Sequence, residues 1–121
     1  MLFTIDREKV EYIPHKKEYD IWRSRLSDRQ YVEIMTEMEK VLSGRDVAVS
    51  SFVPGKDWGY PYYYIYEACE EDQQHSAFFF GLLFWEAVQK HPDNWSFQKY
   101  DNDKELAKAI KGMTYFKIKL D

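Results

Sequence analysis

The sequence predicts an α+β fold, in which a small antiparallel or mixed sheet of about four strands packs against three or more helices. Two patterns predict it. Apolar residues recur at helical spacing near 15–26, 28–42 and 75–90, and at strand spacing near 2–5, 47–53, 95–100 and 113–120. A hydrophobic share of 45% beside a charged share of 31% is that of a globular chain. A length of 121 residues fits one domain spanning 1–121, burying roughly two-thirds of its unfolded surface without staples.

The elements follow in order. Leu2–Ile5 and Val10–Ile13 are short β-type runs around Asp6-Arg7-Glu8-Lys9, either a hairpin or one strand with an extended lead-in. Pro14 sits where a helix can open, and Tyr19, Trp22 and Leu26 then share one helical face. Ser27 and Gln30 have capping-box spacing, with Leu26 and Tyr31 at the staple positions. Behind them Tyr31, Ile34, Met35, Met38, Val41 and Leu42 form a continuous stripe, and Gly44 suits the left-handed residue past the helix end.

In 46–53, Ala48 and Phe52 lie on the face opposite Val47, Val49 and Val53, and Pro54-Gly55 turns the chain. Tyr62–Cys69 reads as helix or strand, because tyrosine and isoleucine suit both. The stretch 75–90 is apolar nearly all round, with Phe79 and Leu82 in its otherwise polar sector. It therefore demands burial on several sides, with Tyr62–Cys69 as the nearest candidate partner. Asp101-Asn102-Asp103 then precedes a short helix through Ile110. Met113–Leu120 is the clearest strand, with Thr114, Phe116, Ile118 and Leu120 expected on one face and Tyr115, Lys117 and Lys119 on the other, toward water.

Charge and cysteine content bound the function. A net charge of −4 with scattered Lys and Arg argues against duplex nucleic acid as a partner. The run Ala77–Trp85 falls far short of the ~20 residues that span a bilayer, and Met1–Ile5 is too short for a signal peptide. A lone Cys69 favours a reducing compartment, so the expected location is cytoplasmic.

No motif fixes a reaction. Cys69, Glu70, Asp72 and His75 have the side chains of a zinc or thiol site, but the paired ligand spacings are absent, and Cys69 reads better as an apolar filler. Gly55 and Gly59 make no phosphate loop. Neither catalytic nor metal-binding residues nor a cofactor are therefore expected. His91, at a helix end, suits a cationic imidazole meeting the helix dipole.

The loop Lys56-Asp57-Trp58-Gly59-Tyr60 is the most suggestive stretch. Its aromatics either rim a pocket or fold back onto the phenylalanine-rich helix as core. The tyrosine run Tyr60, Tyr62, Tyr63, Tyr64 and Tyr66 borders Glu67, Glu70, Glu71 and Asp72, which suits a protein interface better than a basic nucleic-acid groove. The leading expectation is a non-enzymatic interaction module of inhibitor, immunity or adaptor type, binding a protein or itself. The alternative is a small-ligand protein or small enzyme with an aromatic pocket between the 54–66 loop and the 75–90 helix. The candidate binding residues are Lys56, Asp57, Trp58, Tyr60, Tyr64 and His75.

Overall fold

A computed structural model of the chain describes residues 1–49, 58–99 and 113–120. Its elements are α1 (Lys16–Arg23), α2 (Asp28–Leu42), β1 (Val47–Val49), α3 (Tyr63–Ala68), α4 (Gln73–Lys90), β2 (Trp95–Lys99) and β3 (Met113–Lys117). The fold is α+β: four helices and an antiparallel sheet in the order β1-β3-β2. The helix expected after Asp103 and the far half of the 47–53 strand lie outside the described residues.

The sheet has three strands among the described residues, where about four were expected. The 2–5 run makes only single bridges, Leu2 beside Trp95 and Phe3 opposite Lys9. The chain turns too soon to extend them. Arg7 takes a left-handed φ of 68° and its N–H bonds Thr4 O, so the run doubles back within a few residues.

Two helix starts show the same device with different legibility. Ser27 and Gln30 close the predicted capping box of α2, and Gly44 takes φ 82° beyond its end. At α4 the cap is Asp72, whose side chain accepts from the His75 N–H, so the helix opens at Gln73 rather than at 75. Tyr63–Ala68 is helical. Arg25 donates to Ala68 O at 2.8 Å, giving a carbonyl at the end of α3 a partner.

Helix α4 is the axis of the core. Phe79, Phe80, Leu82, Leu83, Phe84, Trp85 and Val88 are all buried, and α1, α2 and α3 each pack on it. Each such side chain contributes roughly 1.5–3 kcal/mol through removal from water. The partner that covers Phe79 is α1, through ring contacts with Tyr19 and Trp22, whereas the tyrosine segment meets Phe80 through Tyr62.

The sheet covers another side of α4, and here the expected facing of β3 is reversed. Met113 and Tyr115 are fully buried, while Phe116 is only half-buried. Tyr115 packs its ring on Phe84 and Trp85, and its cross-strand neighbour Phe97 packs on Trp85. Alternation defines two faces of a strand, and the bulk of α4 decides which one is covered.

Candidate functional site

Short local contacts divide the aromatic loop and α3 into an inner and an outer half. Trp58 is buried. Its indole N–H donates to Gln73 Oε1 at 2.8 Å, and its ring stacks on Tyr66 and meets Phe80 edge-on. It has folded back as core. Tyr60, two residues on, is 65% exposed and Tyr63 is 39% exposed.

The outer half is a set of three tyrosines in mutual contact. Ring centroids lie 5.9 Å apart for Tyr60 and Tyr64, 6.2 Å for Tyr60 and Tyr63, and 4.4 Å for Tyr63 and Tyr64. Beside them stands Glu33 of α2. Its Oε1 lies 3.3 Å from Arg29 Nε, while its Oε2 is buried with no hydrogen-bond partner among the described residues. Removal from water, and then the Glu33 charge, raises the Tyr60 hydroxyl above its usual pKa. For Tyr64 the neighbouring Tyr63 hydroxyl acts first and Glu33 next, in the same direction. Hydrogen bonding of the Tyr60 and Tyr64 hydroxyls to Glu33 contributes to both shifts, although Oε2 itself has no partner of full hydrogen-bond geometry among the described residues.

A second tyrosine–glutamate cluster lies between α1, α2 and α4. Tyr19 donates to Glu86 Oε1 at 2.6 Å. Lys90 donates to the Tyr31 hydroxyl at 2.7 Å and lies 3.8 Å from Glu86 Oε2. The Arg23 guanidinium lies 3.9 Å from the centroid of the Tyr31 ring. Burial, and then Glu86, holds both hydroxyls well above their usual pKa.

The remaining sequence candidates go elsewhere. His75 is exposed, with Nδ1 3.8 Å from Asp72 and its ring against Trp22. Lys56 and Asp57 lie outside the described residues. Of the six, Tyr60 and Tyr64 are brought together, while Trp58 and His75 take different neighbours. Glu33 and Arg29 were not among the six. They lie on the polar side of α2, almost thirty residues before the tyrosines, and no local pattern links the two stretches.

Three further observations bear on chemistry. Cys69 is buried, and burial pushes its thiol up to about 12, so it stays protonated at neutral pH. His91 is not the expected cation at a helix end. Its Nδ1 accepts from the Asp93 N–H at 3.1 Å and from the Trp95 indole N–H at 3.3 Å, and burial lowers its pKa. Desolvation outweighs the helix dipole there. Finally, a cavity of about 100 Å³ opens where Tyr62 faces Phe80 and Phe84, lined also by Val41, Arg45, Ala48 and Val49.

Among the described residues no helix is long and apolar enough to cross a membrane, and no group of three or more His, Cys, Asp or Glu could hold a metal ion. No family model matches the chain, and neither a curated protein nor a solved structure matches it.

Proposed function

We propose that this protein is a small cytoplasmic interaction module, of inhibitor, immunity or adaptor type, that holds a protein partner against Tyr60, Tyr63 and Tyr64 and the adjoining edge of α2. The observation that carries this reading is the exposed pair Tyr60 and Tyr63, in ring contact with half-buried Tyr64, beside a carboxylate whose second oxygen has no partner of full hydrogen-bond geometry among the described residues. Tyrosine joins a large apolar body to a polar tip, which is why it is enriched at the centres of interfaces. The remainder of the chain supports the same view: the buried tryptophans and α4 are engaged with one another, and Cys69 is held as an inert thiol.

The small-ligand reading draws on the cavity beneath Tyr62. At about 100 Å³ it is well below the roughly 300–1,000 Å³ of ordinary ligand pockets, and residues 54–57 of the expected rim lie outside the described residues. A photo-crosslinking residue in place of Tyr63 tests it in native lysate. A discrete crosslinked product is expected, lost in the Tyr60→Ala background while the thermal melt is unchanged. A strictly monomeric protein by light scattering, with no crosslinked product, would end the proposal.

A further inference from the structure

We infer that the tyrosine face is a receptor for an arginine side chain of the partner protein, with Glu33 as the charge that selects it. The inference rests on the interface reading above and names the chemistry of the group received.

The argument starts from what Glu33 lacks. A buried carboxylate oxygen without a donor is costly, and a cationic donor compensates it best. Arg29 reaches only Oε1, along one edge, from a side chain that is 89% exposed. No cation lies over the rings of Tyr60, Tyr63 or Tyr64 among the described residues. Among the described residues the site therefore offers a carboxylate oxygen without a well-formed hydrogen bond and the exposed rings of Tyr60 and Tyr63 together. Arginine uses both at once, because its planar guanidinium forks onto carboxylates and stacks on aromatic rings, while lysine brings a compact, strongly hydrated charge.

The molecule contains the filled version of this arrangement. At Glu86, two tyrosines and a carboxylate are completed by cations, with Arg23 on the face of Tyr31 and Lys90 on its hydroxyl. The Glu33 site has the tyrosines and the carboxylate, and its inner oxygen has no partner of full hydrogen-bond geometry among the described residues. Glu67 and Glu71 are exposed on the end of α3 and the turn after it, where Glu70 lies 3.5 Å from Arg25. Tyr60 is the most exposed of the three rings.

The probe is a blocked tri-arginine peptide, titrated against the intact chain and followed by the ring resonances of Tyr60, Tyr63 and Tyr64. Saturable shifts are expected, weaker for tri-lysine, absent for tri-glutamate, and reduced as salt rises. Glu33→Gln keeps the size of the side chain and is expected to weaken tri-arginine at least about tenfold, since it removes a charge-assisted bond. Equal binding of tri-arginine by Glu33→Gln, or equal binding of tri-glutamate by the unaltered chain, would overturn the inference. The same variant in the crosslinking experiment separates the two proposals. If the Tyr63 crosslink forms as well with Glu33→Gln as without it, the interface stands and the arginine falls. If the crosslink weakens with Glu33→Gln while the melt is unchanged, both stand.

Discussion

The chain builds two clusters from the same parts and finishes only one of them. Each has tyrosines, a glutamate and a basic neighbour on a helix. Around Glu86 both carboxylate oxygens face partners, and Lys90 and Arg23 close over Tyr31. Around Glu33 one oxygen faces Arg29, and the other, with the Tyr60 and Tyr64 hydroxyls near the carboxylate, has no partner of full hydrogen-bond geometry among the described residues. The difference teaches what separates a structural polar network from a receptive one. A satisfied network holds helices in register. One with an unpaired acceptor carries an energetic debt that a ligand can relieve.

The sharpest way to break the comparison is to remove both carboxylates in turn. Glu86→Ala strands the Tyr19 hydroxyl in a half-buried site and takes away the carboxylate that Lys90 faces, so a loss of about 2–3 kcal/mol is expected in urea unfolding. Tyr19→Phe removes one bond of that network and should cost about 1 kcal/mol by the same measurement. Glu33→Leu should leave stability unchanged, or raise it by up to about 1 kcal/mol, because it deletes an unsatisfied group. A loss as large as that for Glu86→Ala would show that the two sites are alike.

Alkaline titration sharpens the contrast. Unfolded tyrosine titrates near about 10. Tyr19 and Tyr31 lie well above that in the folded chain, and Tyr62 is pushed up to about 12 by burial and then by the Glu37 charge. The folded state holds these protons longer than the unfolded state does. Their contribution is therefore full below about pH 10 and is lost as pH rises toward the folded values. Phenolate absorbance from Tyr19 and Tyr31 should appear only together with loss of circular dichroism. Tyr60 is also raised but exposed, so it should ionise without unfolding, and both it and half-buried Tyr64 should ionise at lower pH in Glu33→Gln. The smallest effect is acidic. His91 is lowered from an unfolded value near about 6.5, so its contribution is present above that pH and lost as pH falls through the folded value. In His91→Asn the thermal melt should lose that part of its acid dependence.

How far these features were legible depends on whether their causes are local. The α2 boundary was legible because Ser27 and Gln30 carry the cap within three residues. The Asp72 cap of α4 hides in an acidic run that reads equally as a break. The facing of β3 was misread because Lys117 and Lys119 mark it as a solvated strand. Lys117 instead reaches Asp93 at 3.2 Å, and the cover of Phe84 and Trp85 over Tyr115 comes from far along the chain. In the candidate site the tyrosines announce themselves by composition, and Tyr60 and Tyr64 were named as candidates that way. Their partner Glu33 was not, since a glutamate on the polar side of an amphipathic helix carries no mark of what will stand against it.

Helix α4 has one more consequence, for how the protein accommodates change. An amphipathic helix such as α2 tolerates substitution with a rhythm of 3.6 residues, because every turn returns an outward position. Phe79 through Trp85 are buried without interruption, so that rhythm is erased over nearly two turns. Substitution should therefore be tolerated far better at the outer positions of α2 than anywhere along Phe79–Trp85.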